Sequence, residues 1–346
     1  MLYASTRSKV ETYTAQRTVW SERAVDGGFF VPISVPQFKR TEMMRMKDNT
    51  PEDNIALILN HFFQTEFSGK EVEYLLGREY YRLVNISHRM ILGQLWHNEA
   101  GQIDHVISTL IRRFAAQISD GEPGEWPRVA VRVALLFALV CDMEKQGLAS
   151  PLHPIDVAVP AGDFTWPMAA WYARKMGLPI QTIICCANEH DGVRDLIHRG
   201  QIRLDSTAPR TITPRCDFGI PVGVERAIYT MLGREETAEY VRVLRKGGIY
   251  SVNPEQRRFL GEGMYVAVNN SKRLMEVIPN AYRTFEHVFC PYSALVYTGV
   301  MDYQSVTGRY NKVLMLCDYS PVHSLDVTAR AMGIGKAELK KRLNLT

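Results

Sequence analysis

The sequence predicts a three-layer α/β protein with a mostly parallel sheet, and three apolar segments carry this prediction. Residues 155–160 (IDVAVP) and 182–187 (TIICCA) are short, apolar and rich in β-branched residues, which is typical of buried strands. Helix-like sequence at residues 168–176 separates them, so the three segments are predicted to form a βαβ unit. The apolar run at residues 313–317 predicts a further strand of the same sheet.

Several helices are predicted to cover this sheet. Residues 128–145 are apolar on nearly every face, which predicts a buried helix that ends before Gly147. Upstream, the pattern from residue 51 to residue 92 is helical, with separate helices expected at about 69–77 and 78–84.

Composition excludes several classes of protein. The chain has 346 residues with 46% hydrophobic content, enough for one large or two medium globular domains. Its 41 basic and 37 acidic residues are interspersed, so no nucleic-acid or membrane partner is indicated. Six cysteines without a C-x-x-C pattern indicate reduced thiols rather than a disulfide framework. No leader-like or membrane-spanning apolar run is apparent, so we expect a cytoplasmic protein.

Two motifs near the N-terminus carry a resemblance to a known family. Residues 3–7 (YASTR) and 26–32 (DGGFFVP) match, in order and spacing, the opening of the threonine synthase family. Residues 173–180 (ARKMGLPI) and 210–226 also resemble segments of that family. The resemblance implies the pyridoxal phosphate (PLP) fold-type II, which is like the β subunit of tryptophan synthase.

The segment that resembles the family's PLP-lysine segment lacks the lysine. Residues 94–110 (QLWHNEAGQIDHVISTL) keep His97 and the apolar helix, but Asp104 stands at the lysine position. A carboxylate cannot form a Schiff base. The loop at residues 161–164 resembles the family's phosphate-binding loop, yet Asp163 brings a negative charge and Trp166 brings bulk. We therefore predict that the chain binds no PLP.

The resemblance also predicts a deletion. In the family, a cofactor-covering subdomain separates the lysine helix from the helix that matches residues 128–145. Here only a short turn-rich loop intervenes, so we expect that subdomain to be largely missing after about residue 118. We divide the chain into an N-terminal threonine-synthase-like region, residues 1–92, and a degenerate PLP-fold α/β domain, residues 93–346.

Polar residues at positions that match the family's site are the candidate functional residues. For acid/base chemistry they are Asp104, His105 and His97. Neighbouring helical residues point about 100° apart, however, which favours Asp104 as a solvated or capping residue. For substrate binding, the candidates are Gly162, Asp163, Asp217, Arg226, Cys290 and His323. No metal site is predicted, because residues 189–191 (EHD) have no second cluster at ligand spacing.

These observations leave two functions open. The first is a binding or companion protein of amino acid metabolism without PLP-dependent threonine synthase activity, which would bind an amino-acid-like ligand, a protein partner or a second copy of itself. The second is a PLP-independent enzyme that uses the vacated cleft for lyase or isomerase chemistry on an amino-acid-like or phosphorylated substrate. Ordinary PLP chemistry is a third and weaker hypothesis.

Overall fold

The structure is a computed structural model, and it describes residues 1–8, 11–77, 80–95, 108, 124–189, 192–204 and 210–343. The strands of this part are β1 Leu2–Ser5, β2 Thr12–Thr14, β3 Phe30–Pro32, β4 Arg82–Asn85, β5 Met90–Gln94, β6 Ile155–Pro160, β7 Ile180–Asn188, β8 Gln201–Arg203, β9 Ile249–Ser251, β10 Met264–Asn269 and β11 Val313–Cys317.

The helices of the same part are numbered in chain order. They are α1 Ala15–Trp20, α2 Arg40–Asp48, α3 Pro51–Phe63, α4 Gly69–Leu76, α5 Glu125–Lys145, α6 Thr165–Met176, α7 Val193–Arg199, α8 Gly223–Leu232, α9 Arg234–Lys246, α10 Pro254–Leu260, α11 Ser271–Phe285, α12 Pro291–Thr307, α13 Leu325–Met332 and α14 Lys336–Arg342.

A six-stranded sheet in the order β10-β7-β6-β11-β5-β4 forms the centre of the molecule. All of its neighbouring pairs are parallel except β4 with β5 at one edge. The three predicted strands pair with one another: Val157 lies opposite Ile183, and Val313 lies opposite Asp156. The prediction of an α/β fold with a mostly parallel sheet is therefore confirmed.

Alternate residues of the central strands enter two different cores. Val157, Ile183 and Leu314 belong to a core beneath α5 and α6, whereas their neighbours Ala158 and Ile184 belong to a core beneath α12. This period of two is what a sheet covered on both faces requires. The result is the three-layer arrangement that the sequence predicts.

Helix α5 is the most deeply buried long helix of the first core. It packs against α3 and α6, and nearly all of its residues from Trp126 to Cys141 are buried. The structure begins it three residues earlier than predicted, at Glu125. The predicted burial of this helix is confirmed.

The prediction of a helix at residues 78–84 is wrong. Residues 82–94 form the β4–β5 hairpin instead, and β5 pairs with β11 along its whole length. Short apolar runs such as Met90–Gln94 fit either state, and here pairing with the buried strand β11 decides between them. The helix expected at 69–77 is confirmed as α4, with Ser68 and Glu71 forming a capping box at its start.

Two further predictions concern a missing subdomain and membrane-spanning segments. The predicted deletion after about residue 118 falls on residues outside the described part and stays a prediction. In the described residues, no helix is both long and apolar enough to cross a bilayer.

Candidate functional site

A cleft of about 230 Å³ lies at the carboxyl ends of β6 and β11. Its walls come from the loop after β6, the residues after β11, the segment around residue 216 and the start of α12. Open α/β sheets bind ligands at this edge, because loops and helix N-termini converge there. The side chains that set its charge and shape are Arg132, Asp163, Trp166, Arg215, Tyr292 and Asp318.

The loop after β6 is held tightly against the sheet. The Ala161 amide donates to the Cys186 carbonyl, and the Phe164 amide donates back to the Ala161 carbonyl at 2.7 Å. Gly162 and Phe164 both have positive φ, of 45° and 69°. For Phe164 this conformation is unfavourable, so the surrounding packing must enforce it.

Asp163 contributes a carboxylate to the start of α6. Its Oδ1 accepts a 2.9 Å hydrogen bond from the Thr165 amide at the first turn of α6. Helix N-termini attract anions through such amides, and here the chain supplies its own carboxylate. The Asp163 carbonyl also accepts from the Gly223 amide, which ties the loop to α8.

Trp166 lines the cleft beside the residue that follows β11. Its side chain is buried, and its Nε1 donates a 2.8 Å hydrogen bond to Asp318 Oδ2. The guanidinium of Arg132 lies 5.2 Å from the centre of the Trp166 ring, within cation–π range. The indole therefore forms one wall of the cleft.

Arg132 is a buried cation without an ion-pair partner among the described residues. Arg132 is 6% exposed, and its Nη1 donates a hydrogen bond to the Arg128 carbonyl at 3.1 Å. Among the described residues, no carboxylate lies within 4 Å of it and its Nε has no hydrogen-bond partner. A buried guanidinium in this state is costly unless an anion accompanies it.

Two tyrosines complete the floor of the cleft beside Arg215. The rings of Tyr292 and Tyr319 lie 4.3 Å apart, and the Tyr292 hydroxyl accepts from the Arg215 amide at 3.2 Å. The Arg215 guanidinium lies 5.4 Å from the Tyr319 ring centre. Burial raises the pKa of both phenols, so they stay protonated at neutral pH.

Of the predicted substrate-binding residues, Gly162 and Asp163 line the cleft, and Cys290 and His323 lie beside it. Cys290 is buried and its thiol approaches the Tyr319 carbonyl at 3.6 Å. Burial raises the pKa of this thiol, which disfavours the nucleophilic thiolate. His323 is exposed, with its ring 5.3 Å from the Tyr319 ring.

Asp217 organises the segment that precedes the cleft wall. Its carboxylate accepts from the Asn188 amide at 2.6 Å, the Thr211 hydroxyl at 2.6 Å and the Thr211 backbone at 2.8 Å. Three donors at these distances fix the carboxylate firmly. Asp217 therefore holds residues 211–217 against the end of β7, and Cys216, its neighbour, lines the cleft.

Arg226 lies apart from the cleft in a buried ion pair. Its side chain is fully buried and bound to Glu125, with an Nη1–Oε1 distance of 2.7 Å. Its Nε and Nη2 each donate to the Phe30 carbonyl oxygen at 3.4 Å. It joins α8, α5 and β3, and this role differs from the substrate contact that we predicted for it.

The candidate catalytic residues His97, Asp104 and His105 lie outside the described residues. Sequence reasoning missed Arg132, Arg215 and Asp318. For Arg132 a signal existed: it is the only charged residue between Val129 and Val140 of an otherwise apolar helix. A charge in such a run is expected to have a specific partner or function.

The described residues of the cleft do not fit a lysine-bound PLP. None of the described lysines lines it, so the amine that PLP requires is missing from these walls. The Asp163 carboxylate, which accepts from the Thr165 amide, also makes the loop after β6 unfavourable for a phosphate. In the described part of the chain, no three His, Cys, Asp or Glu side chains are grouped as metal ligands.

Comparisons with known proteins agree with this fold. Residues 2–80 match the family described as "Threonine synthase N terminus". A PLP-bound threonine synthase from Brucella melitensis aligns with the whole chain and with 95% of its own, at a TM-score of 0.85 and 15% identity. A threonine synthase from yeast gives a TM-score of 0.82 and 16% identity, covering 100% of this chain and 94% of its own.

Curated relatives match shorter stretches. Human "Threonine synthase-like 1" is 29% identical over 123 residues, which is 35% of this chain and 17% of that protein. "Threonine synthase" of Pseudomonas aeruginosa is 23% identical over 175 residues, which is 49% of this chain and 35% of that enzyme. The matches thus span from about a sixth to about a third of these relatives' lengths. Residues 2–80 are thus similar to the N-terminal part of threonine synthases, and the chain as a whole has the fold of these solved threonine synthases.

Proposed function

We propose that this threonine-synthase-like protein binds a small amino-acid-like zwitterion in the cleft and does so without lysine-bound PLP. The observation that carries the proposal is Arg132, a buried guanidinium without a carboxylate partner among the described residues. A ligand carboxylate at Arg132 would supply the missing anion, and such charge-assisted hydrogen bonds are strong in a buried site.

The acidic side chains of the cleft support an ammonium group on the same ligand. Asp163 and Asp318 line the cleft together with Arg132 and Arg215, so two carboxylates and two guanidinium groups share a volume of about 230 Å³. A purely anionic ligand would meet both carboxylates, and a purely cationic one would meet both guanidinium groups. A zwitterion satisfies both signs of charge.

The titratable groups favour binding over catalysis. Burial raises the pKa of Tyr292, Tyr319 and Cys290, so none of these groups is ready to accept a proton at neutral pH. The companion-protein hypothesis is therefore preferred to a PLP-independent lyase or isomerase. The protein partner that such a role involves is part of the proposal.

The test is calorimetric titration of the protein with a set of L-amino acids, each paired with its decarboxylated amine and its deaminated acid. Arg132→Met should weaken binding of the amino acid at least about tenfold, since truncating one partner of a buried charge pair is costly. Arg128→Met is the matched control, because Arg128 lies one turn away on α5 and is exposed.

Binding that persists in Arg132→Met, or that is equally strong for the amine lacking a carboxylate, would contradict the proposal. Turnover of an amino acid by the purified protein would replace it with the lyase or isomerase hypothesis.

A further inference from the structure

A second concavity of about 960 Å³ lies at the amino ends of the central strands, opposite the cleft. Its lining includes Pro154, directly before β6, and Lys312, directly before β11. The cleft described above follows the other ends of these same two strands. The two concavities therefore face away from each other, and residues of one do not line the other.

Cations from separate parts of the chain converge on this groove. Lys47 comes from the end of α2, His153 from the loop after α5, and Arg309 and Lys312 from the segment between α12 and β11. Within the described ranges, no carboxylate lies within 4 Å of Lys47, Arg309 or Lys312. Surface lysines and arginines are usually scattered, so their convergence in one concavity indicates an anionic ligand.

The one carboxylate in the lining is Glu144, which is only 6% exposed. Its side chain has neither a hydrogen bond nor an ion pair with any residue that the structure describes. Burial raises the pKa of this carboxyl, and the charge of Lys47 opposes that shift. The groove thus combines three basic side chains with a single acidic one, Glu144.

The rest of the lining suits a polar body rather than a bare ion. Ser150, Gln181, Tyr310 and Asn311 contribute hydroxyl and amide groups. The volume lies in the range of pockets that bind whole metabolites and is far larger than an inorganic phosphate needs.

We propose that this groove is a second ligand site, which binds a phosphomonoester carried on a small hydroxyl-bearing molecule. Lys47, Arg309 and Lys312 neutralise the phosphate, and the hydroxyl and amide side chains contact the body of the ligand. Sugar phosphates and nucleoside monophosphates share this chemistry.

The experiment is calorimetric titration of the full chain with glucose 6-phosphate and with AMP, each compared with its unphosphorylated parent, glucose or adenosine. We expect at least one phosphomonoester to bind and its parent to bind at least about tenfold more weakly, because the cations act on the phosphate. Which of the two binds more tightly identifies the body as sugar or nucleoside.

Three variants locate the binding. The double change Arg309→Ala with Lys312→Ala should weaken it at least about tenfold. Glu144→Gln should tighten it severalfold, because a like charge is removed from the groove. The control pair Lys272→Ala with Lys340→Ala removes two exposed lysines elsewhere and should change nothing.

The proposal is overturned if neither phosphomonoester binds, if the parents bind as tightly, or if the control pair weakens binding as much as the groove pair. Arg132→Met, which acts on the other cleft, should leave the affinity for the phosphomonoester unchanged. A loss of phosphomonoester binding in that variant would place the ligand in the first cleft instead and contradict the assignment.

Discussion

The indole nitrogen of Trp166 and the carboxylate of Asp318 are joined by a 2.8 Å hydrogen bond across the carboxyl edge of the sheet. This contact links the first turn of α6 to the residue after β11. It holds Asp318 at the cleft and keeps a large ring in the cleft wall. Shape and charge at the site are thus set by the same pair of residues.

We predict that Trp166→Phe lowers the free energy of unfolding by about 1–3 kcal/mol, because it leaves Asp318 without this donor. Urea denaturation of the two proteins measures the difference. Trp171→Phe on the same helix is the control, since Trp171 is half-buried and should change stability less. Equal effects of the two changes would show that the hydrogen bond is unimportant.

The ion pair between Arg226 and Glu125 should be far more important to stability than the exposed pair between Arg242 and Glu239. Glu125→Gln leaves the guanidinium of Arg226 fully buried without its counter-ion, and we expect a loss of about 3–5 kcal/mol. Glu239→Gln breaks an exposed pair that water screens, so its effect should be much smaller. Chemical denaturation compares them, and similar losses would contradict the structural role of Arg226.

Asp156 should make stability depend on pH. It is fully buried, its Oδ2 lacks a hydrogen-bond partner among the described residues, and burial raises its pKa above the ordinary 3.8. The folded state binds the carboxyl proton of Asp156 more tightly than the unfolded state does. The contribution of Asp156 to stability is therefore present at acidic pH. It is lost as pH rises from about 3.8 through the raised pKa.

Asp156→Asn should therefore be more stable than the unchanged protein at pH 7, and this advantage should shrink as the pH is lowered toward 4. Thermal unfolding across that range measures it. An advantage that grows toward acidic pH would have the wrong sign and would refute this account.

Much of the fold could be predicted because the buried strands have a distinctive composition. The segments at residues 155–160, 182–187 and 313–317 are apolar apart from Asp156 and Thr182, and such short runs are typical of a sheet covered on both faces. The β4–β5 hairpin could not be predicted in this way. Its pairing with β11 depends on contacts more than 200 residues apart in sequence.

The site was harder to predict than the fold. Gly162 and Asp163 were found because a loop between a strand and a helix has a recognisable pattern. Arg215 lies in the family-like segment 210–226 and Asp318 directly follows a predicted strand, but only the three-dimensional structure brings these two side chains to one cleft. Arg226 looked like a site residue because it is charged, but its burial beside Glu125 gives it a structural role.

The central claim is that this threonine-synthase-like protein does not use lysine-bound PLP. Adding PLP to the purified protein and recording its visible absorbance, before and after borohydride, tests this most directly. We predict no band beyond that of free PLP and no PLP retained on any lysine after reduction, as checked by mass spectrometry. A protein-bound band that borohydride abolishes, together with a modified lysine, would contradict the account.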